Sequence, residues 1–206
     1  MRCVIVGGAE INNYDYINRY LKEDDFGIFC DCGLTHLDKL KIKADLIVGD
    51  FDSFKQPEDI NTEIIVLPRE KDDTDTVYAV KEAIKRGFDD FIIIGALGNR
   101  FDHSLGNISI LEYLHNINIK AVIIDDYSEI MVVADETIKI SDEYSFFSLI
   151  NIFGKASGIY IKNAKYPLEN AEITTEYQYG ISNEVIKNKE AEVFVKNGKL
   201  LLIKVK

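Results

Sequence analysis

Five short clusters of acidic, basic or small residues contain the side chains in this sequence whose types and spacing could do chemistry. They are Gly7-Gly8, Asp31-Cys32-Gly33, Gly49-Asp50-Phe51-Asp52-Ser53, Lys71-Asp72-Asp73-Thr74-Asp75 and Gly98-Asn99-Arg100-Phe101-Asp102-His103. Carboxylate oxygens are the usual protein ligands of hard divalent cations, and glycine lets a backbone approach a ligand closely. Together these residue types indicate a site for a divalent cation and phosphate groups.

Asp50 and Asp52 are the first candidate metal ligands. They are two residues apart, so in an extended loop both carboxylates could face the same way. Mg²⁺ usually takes one or two protein carboxylates and completes its shell with water and substrate phosphates. The alternative is that one aspartate caps the following segment while solvent surrounds the other.

Asp72, Asp73 and Asp75 form a second acidic group, just before a helical pattern that starts at Val77. An N-cap or a first-turn carboxylate stabilises a helix by about 0.3–1 kcal/mol, so capping could explain any one of them. Capping does not need three carboxylates, however, and crowded like charges cost free energy unless a cation offsets them. The two acidic groups together therefore favour a metal–phosphate site.

Arg100, His103 and the cysteines carry weaker signals. The Arg100 guanidinium could bind phosphate through two parallel hydrogen bonds, or it could be a surface residue in a turn. His103 could be catalytic or structural. The glycines near residue 7 lack the spacing of a dinucleotide fingerprint, and the sequence has no P-loop motif. Cys3, Cys30 and Cys32 lack the partners of a zinc site and are interpreted as packing residues.

Short apolar runs predict the strands that position these clusters. Near-continuous apolar runs are typical of strands buried on both faces of a parallel sheet. They occur at Cys3–Val6, Gly27–Cys30, Leu46–Val48, Ile64–Leu67, Phe91–Ile94 and Ala121–Ile124. Between them lie three stripes with helical spacing, which are Tyr14, Ile17 and Leu21, then Val77, Val80 and Ile84, and then Leu105, Ile108, Leu111 and Leu114.

The alternation of strand and helix over residues 1–130 predicts a three-layer α/β domain with a mainly parallel sheet. Ligands of such sheets bind outside the carboxyl ends of the strands, where the five clusters would meet. Residues 131–206 show no helical stripe and are predicted to form an antiparallel β-sandwich. Asn197-Gly198, between two β-rich runs, predicts a hairpin in which Val193 and Val195 share one strand face, opposite Phe194.

The net charge of −11 lies entirely in residues 1–130, whereas residues 131–206 are neutral overall. An acidic surface repels nucleic-acid phosphates, so DNA or RNA binding is not expected, and divalent cations or a cationic ligand fit better.

No apolar run approaches the roughly 18–20 residues of a membrane span, and the first residues lack the features of a secretory signal. Three cysteines, an odd number, favour the cytoplasm over an oxidising compartment.

Four motifs, in order along essentially the whole chain, resemble those of the thiamine pyrophosphokinase family. The motifs are Gly49–Ser53, Lys71–Asp75, Gly98–His103 and Gly180-Ile181-Ser182-Asn183-Glu184. The resemblance implies transfer of the terminal diphosphate of ATP to the hydroxyl of thiamine, giving thiamine diphosphate and AMP, with Mg²⁺ as cofactor. It also implies a nucleotide- and metal-binding domain at 1–130, a thiamine-binding and dimerisation domain at 131–206, and a homodimer whose active sites are shared between subunits.

The resemblance further implies a role for each matched residue. Mg²⁺ would be bound by Asp50, Asp52 and Asp75. The nucleotide would be contacted by Asp31, Lys71, Asp73, Thr74, Arg100 and His103, and the catalytic set would comprise Asp50, Asp52, Asp72, Asp75, Arg100 and Asp102. Thiamine would be contacted by Tyr166, Ser182 and Asn183. Cys32 departs from the pattern, since the family usually has glycine at that position.

Three other functions share some of these features. A pyrophosphokinase acting on another alcohol, such as a hydroxymethylpterin, would have the acidic motifs but not the Ser182-Asn183 element. A non-catalytic sensor of nucleotide or thiamine would be expected to have lost the metal carboxylates, which are all present. A metal-dependent phosphohydrolase would leave the second domain without an evident task.

Overall fold

The computed structural model describes residues 1–51, 62–70 and 72–206. Asp52 and Lys71, two of the predicted site residues, lie outside the described residues. The chain divides into two compact units, Met1–Asp126 and Tyr127–Lys206. No helix in the described ranges is long and apolar enough to cross a membrane.

The N-terminal unit is built on a parallel sheet. Its strands are β1 (Arg2–Val6), β2 (Phe26–Cys30), β3 (Leu46–Gly49), β4 (Glu63–Val66), β5 (Asp90–Ile94) and β6 (Lys120–Ile124). They lie in the order β4-β3-β2-β1-β5-β6, and each adjacent pair is parallel. These strands are the predicted apolar runs. β1, β2, β3 and β5 are buried almost throughout, because both of their faces are covered.

Helices pack on both faces of this sheet, as the three-layer prediction requires. They are α1 (Tyr14–Ile17), a 3-10 helix (Asp31–His36), α2 (Asp75–Lys85) and α3 (Phe101–Asn116). On one face α2 packs against β1, β2 and β3, and α3 packs against β6. On the other face, Tyr16 and Ile17 of α1 and Leu34 of the 3-10 helix share a buried cluster with alternate strand residues such as Val4 and Val6.

Helix α1 is shorter than its apolar stripe predicts, since it ends at Ile17 and Leu21 lies beyond it. Asn18 follows the helix, and its side chain donates to the Lys39 carbonyl at 3.1 Å and accepts from the Lys41 N–H at 2.8 Å. These bonds tie the chain to the segment after the 3-10 helix. Leu21 therefore packs against the same buried cluster from irregular chain.

The C-terminal unit is a sandwich of antiparallel strands. Its strands are β7 (Ser128–Val133), β8 (Thr137–Ser141), β9 (Phe146–Ile150), β10 (Ala156–Lys162), β11 (Leu168–Ile173), β12 (Glu190–Asn197) and β13 (Leu200–Val205). One layer has the order β11-β10-β12-β8, and in the other layer β13 lies between β7 and β9. Side chains of both layers, such as Ile159 and Leu202, form one buried core. The predicted fold class is thus confirmed, although the units divide after Asp126 rather than after residue 130, because β7 already begins at Ser128.

The predicted hairpin at Asn197-Gly198 is wrong. β12 pairs with β10 and β8, whereas β13 pairs with β7 and β9, so the two strands belong to different layers. Val193 and Val195 do share the buried face of β12, opposite Phe194. Gly198, with a φ of +78°, turns the chain from one layer to the other. Crossing between layers lets each strand bury its apolar face against the other across the core.

Candidate active site

A pocket of about 450 Å³ opens at the carboxyl ends of β1, β2 and β5 in the N-terminal unit. It lies where the strand order reverses, since the chain adds β2, β3 and β4 on one side of β1 and then β5 on the other. Such switch points are where open α/β sheets bind ligands. The pocket is lined by Gly7–Glu10, Cys30–Cys32, Thr74–Thr76 and, after β5, by Gly95, Ala96, Gly98, Asn99, Arg100, His103 and Asn107.

Backbone forms one wall of the pocket, because the segments that leave β1 and β5 touch each other. The Gly7 N–H donates to the Ile94 carbonyl at 2.8 Å, and the Ala9 N–H donates to the Gly95 carbonyl at 2.9 Å. A Cβ atom on Gly95 would lie 2.3 Å from the Gly7 oxygen, and Gly95 has a φ of +59°. Glycine allows both this close approach of the two backbones and a positive φ. These two requirements explain the small residues at these strand ends.

Two carboxylates that the sequence singled out lie at neighbouring strand ends. Asp31 follows β2, lines the pocket and is buried. Asp50 follows β3 directly and is half-buried. A Cβ atom on Gly49 would lie 2.8 Å from the Asp31 Cβ, so Asp31 packs against the end of β3. Because β2 and β3 are parallel, both aspartates lie at the same edge of the sheet.

The acidic group before α2 divides between two environments. Thr74 is the N-cap of α2, and its hydroxyl accepts from the Val77 N–H at 3.3 Å. Asp75 is the first residue of the helix and lines the pocket beside Thr74. Asp73 instead accepts two hydrogen bonds from Lys81 Nζ, at 2.7 and 2.9 Å. Asp72 is exposed, so Asp75 is the carboxylate of this group that lines the pocket wall.

Arg100 and Asp102 form an exposed ion pair beside the pocket. Arg100 Nε and Nη2 donate to the two Asp102 carboxylate oxygens, at 3.0 and 2.7 Å. The guanidinium holds the pKa of Asp102 well below its usual range. A carboxylate that ionises so readily is a weak base. In this arrangement Asp102 is suited to orient Arg100, which lines the pocket together with His103.

Two residues of α3 that the sequence analysis missed hold the segment after β5 in place. Ser104 Oγ accepts from the Gly98 N–H at 3.0 Å, and Asn107 Nδ2 donates to the Ala96 carbonyl at 2.7 Å. Both bonds fix backbone that lines the pocket. Asn107 lies one helical turn after His103, so helical spacing from a predicted site residue was the signal that could have found it.

The residues predicted to contact thiamine lie together in the C-terminal unit. Asn183 is buried, and its side chain accepts from the Tyr166 N–H at 3.0 Å and donates to the Tyr166 carbonyl at 2.8 Å. Ser182 is exposed, and its N–H donates to Ser148 Oγ at 3.0 Å. Tyr166 is 57% exposed, with the Lys165 ammonium 5.6 Å from its ring centre. Asn183 thus holds the backbone that presents an aromatic ring to solvent.

A divalent cation is the cofactor that the carboxylates at the strand ends would suit. Within the described part of the chain, no group of three or more His, Cys, Asp or Glu side chains is arranged to hold a metal ion. Mg²⁺ does not need such a group, because it keeps several waters and shares phosphate oxygens with one or two carboxylates. Asp50 and Asp75, the two predicted metal ligands that the structure describes, offer hard oxygen donors of the kind that this pattern needs.

Comparisons with known proteins cover both units. The family model described as Thiamin pyrophosphokinase, catalytic domain, matches residues 17–123, and the model described as Thiamin pyrophosphokinase, vitamin B1 binding domain, matches residues 135–200. The thiamine pyrophosphokinase of Bacillus subtilis (strain 168) is 32% identical to this chain over 208 residues. That match covers 97% of this chain and 96% of the relative.

Solved structures are similar over the full length. The crystal structure of thiamine pyrophosphokinase from Bacillus subtilis has a TM-score of 0.88 at 28% identity and covers 100% of this chain and 99% of its own. The crystal structure of thiamin pyrophosphokinase from Geobacillus thermodenitrificans has a TM-score of 0.82 at 25% identity and covers 100% of this chain and 98% of its own. The two-unit architecture described above is therefore shared with these proteins.

Proposed function

Because the chain belongs to the thiamin pyrophosphokinase family, its activity is that of a thiamine diphosphokinase, and we propose that ATP binds in the pocket at the carboxyl ends of β1, β2 and β5. The observation that carries this proposal is the pocket lining. It combines glycine-rich backbone with the Asp31 and Asp75 carboxylates and the Arg100 guanidinium. Backbone and guanidinium N–H groups suit phosphate oxygens, and carboxylates suit a magnesium ion that accompanies them.

The reaction joins the hydroxyl oxygen of thiamine to the β-phosphorus of ATP. The bond between that phosphorus and the oxygen leading to the α-phosphate breaks, AMP leaves and the hydroxyl proton is lost. Such a transfer depends on alignment and on neutralisation of charge more than on covalent help from the protein. In this proposal Arg100 binds phosphate oxygens in an orientation set by Asp102, and Thr74 and His103 border the nucleotide.

Mg²⁺ is the cofactor in this proposal, and Asp50 and Asp75 would hold it. Asp52 is a third candidate ligand that lies outside the described residues. When bound, Mg²⁺ would supply positive charge that offsets the charge of the phosphate oxygens. Asp31, buried against the end of β3, adds negative charge at the same sheet edge.

We also propose that thiamine contacts Tyr166 and Ser182 of the C-terminal unit. The thiazolium ring of thiamine carries a positive charge, and the face of a tyrosine ring attracts such a cation. The Tyr166 backbone is held at its N–H and its carbonyl by the Asn183 side chain. Asn183 would thus contribute to thiamine binding by fixing the position of Tyr166.

The activity is tested by incubating the protein with ATP, Mg²⁺ and thiamine and measuring AMP and thiamine diphosphate together. We expect the two products in equal amounts, neither without thiamine, and a loss of both when EDTA removes divalent cations. AMP release that does not depend on thiamine would contradict the proposal and indicate a phosphohydrolase. Faster turnover of a hydroxymethylpterin than of thiamine would indicate the other class of pyrophosphokinase.

Ser182→Ala should raise the KM for thiamine about two- to tenfold and leave the KM for ATP nearly unchanged. A neutral hydrogen bond contributes about 0.5–1.5 kcal/mol net, which corresponds to that range. Initial rates with each substrate varied in turn measure both constants. Ser145→Ala, at another exposed serine of the same unit, is the control and should change neither. Equal increases in the two KM values would contradict a role for Ser182 in thiamine binding.

We further propose a homodimer whose active sites combine residues of two subunits. Each unit exposes a large apolar side chain next to a residue assigned to a substrate. Phe101 is 71% exposed and follows Arg100, and Ile181 is 52% exposed and precedes Ser182. A second copy that covered these side chains would remove apolar surface from water, which is a main driving force for association.

Light scattering at assay concentration should give a mass of about twice the 23.4 kDa of one chain. Phe101→Asp should shift the protein toward the monomer and lower its activity, because a charge at this position opposes burial in an interface. Ile117→Asp, at an exposed residue of the opposite end of α3, is the control and should leave the mass unchanged. A fully active monomer would contradict the shared-site arrangement.

The cytoplasmic location and the absence of nucleic-acid and membrane partners stay predictions from the sequence. Cys3, Cys30 and Cys32 form no disulfide bond with one another. Cell fractionation would test the location, and a gel-shift measurement with DNA and RNA would test the expected lack of binding.

A further inference from the structure

The segment that leaves β1, Gly7–Asn13, is called the β1 loop here, and its first four residues line the pocket. It is attached near both ends. At the start, the N–H groups of Gly7 and Ala9 donate to the carbonyls of Ile94, the last residue of β5, and of Gly95, which follows it. At the far end, the Asp126 carboxylate accepts from the backbone N–H groups of the last two loop residues, at 2.8–3.0 Å.

His36, the last residue of the 3-10 helix, attaches the β1 loop between these two ends. Its Nε2 lies 3.0 Å from the Ala9 carbonyl oxygen, and its Nδ1 lies 2.8 Å from the Tyr14 hydroxyl. His36 is only 5% exposed. Its imidazole therefore links the 3-10 helix, the β1 loop and α1 from within the unit, and none of the motifs found in the sequence includes it.

The partners of the imidazole decide which ring nitrogen carries the proton. A carbonyl oxygen can only accept a hydrogen bond, so Nε2 must donate to Ala9. Nδ1 can then accept from the Tyr14 hydroxyl, which requires a neutral ring. Burial lowers the pKa of His36, and the nearby Lys39 ammonium acts in the same direction, whereas the Ala9 carbonyl and the Asp126 carboxylate oppose them.

We propose that His36 is a positioning residue for the diphosphate transfer: its Nε2–H donates to the Ala9 carbonyl and so fixes the β1 loop where the phosphates of ATP bind. This inference rests on the proposed function, because it takes the pocket to be the ATP site. The Ala9 residue is held on both sides, at its N–H by Gly95 and at its carbonyl by His36. A loop fixed before ATP arrives loses no further conformational freedom on binding, which favours affinity.

If His36 had a purely structural role, replacing it would lower the stability of the protein and would not change the KM for one substrate more than the KM for the other. The hydroxyl groups of Tyr16 and Tyr20 offer a matched comparison, since Tyr20 donates to Tyr16 at 2.7 Å within the same unit. Neither tyrosine is part of the pocket lining. Tyr20→Phe therefore removes a hydrogen bond of similar length that is made neither to His36 nor to the pocket lining.

The test compares His36→Leu, which removes the donor, with His36→Gln, whose side-chain amide can still donate to Ala9. His36→Leu is expected to raise both the KM for ATP and the Kd of α,β-methylene ATP with Mg²⁺ about three- to tenfold, the effect of one lost hydrogen bond. The KM for thiamine should stay within about twofold. His36→Gln should keep the affinity for ATP within about twofold of the parent, and Tyr20→Phe should leave every constant unchanged.

Three results would overturn the proposal: an unchanged ATP affinity in His36→Leu, an equal loss in His36→Leu and His36→Gln, or an equal rise in the two KM values. The Kd needs no turnover, so a parent that binds the analogue but makes no thiamine diphosphate would contradict the proposed function alone. If His36→Leu does not fold, two other measurements test the proposal. They are the ¹⁵N chemical shifts of the His36 ring in the parent and the affinity of His36→Gln for ATP. A ring protonated on Nδ1 near neutral pH, or weakened ATP binding by His36→Gln, would then overturn the proposal.

Discussion

Replacing Asp75 by asparagine should lower kcat by at least about 10²-fold, because it removes a carboxylate that lines the pocket and would hold Mg²⁺. That magnitude is typical of losing one electrostatic contact to the transition state. The side chain keeps its size and remains in the first turn of α2, so folding should change little. Steady-state rates at saturating ATP, thiamine and Mg²⁺ give kcat, and activity within about threefold of the parent would remove Asp75 from the metal site.

Asp73→Asn makes the same change of charge two residues away and is the matched control. Asp73 forms an ion pair with Lys81, both partners being partly exposed, and such surface pairs contribute little to stability. We expect kcat within about threefold of the parent. The resemblance also assigns Asp73 to the nucleotide. A tenfold or larger rise in the KM for ATP would therefore mean that Asp73 leaves Lys81 when ATP binds.

Gly95→Ala should lower the free energy of unfolding by at least about 2 kcal/mol and weaken ATP binding as well. A Cβ atom at this position would lie 2.3 Å from the Gly7 carbonyl oxygen, and the φ of +59° is strained for an L-residue. Left-handed backbone costs about 1–2 kcal/mol, and overpacking costs about 1–3 kcal/mol more. Urea denaturation measures the loss of stability. The displaced segment also accepts from Ala9, so the affinity for ATP should fall with it.

Gly106→Ala in α3 is the control for this change, and we expect it to change the free energy of unfolding in the opposite direction. Apart from its chain neighbours and the nearby backbone of α3, no atom of the described residues lies within 4 Å of the Cβ that alanine would add at Gly106. Alanine favours a helix over glycine by about 0.5–1 kcal/mol, so this variant should be slightly more stable than the parent. Similar losses in the two variants would contradict the argument that close backbone approach makes Gly95 necessary.

The parallel sheet could be predicted from the sequence because buried strands appear as apolar runs. β1 and β5, for example, are buried on both faces and have almost no polar residues. Strand pairing could not be predicted in the same way, since it depends on which strand edges come together in the folded unit. The turn at Asn197-Gly198 has the local features of a hairpin, yet the edges of β12 and β13 are taken by strands distant in sequence.

The pocket carboxylates could be predicted for a similar reason. Asp31 directly follows β2, and Asp75 begins the helix that comes after β4, so both belong to connections that leave the same edge of the sheet. A charged side chain is unexpected next to an apolar run. Asp31 and Asp75 can therefore be recognised as candidate site residues from a single sequence. Asn107 and His36 could not be found this way. They act on the backbone of other segments, and which carbonyl each one reaches depends on the packing of the folded unit.

The position of β13 between β7 and β9 sets a condition on when the C-terminal unit can fold during synthesis. β7 ends at Val133, and its partner β13 begins at Leu200. Because ribosomes add about 5–20 residues per second, β13 is synthesised on the order of several seconds after β7. Pairing between residues so far apart also slows folding. Until β13 is made, the edges of β7 and β9 that pair with it stay open, so we expect this unit to be prone to aggregation in a nascent chain.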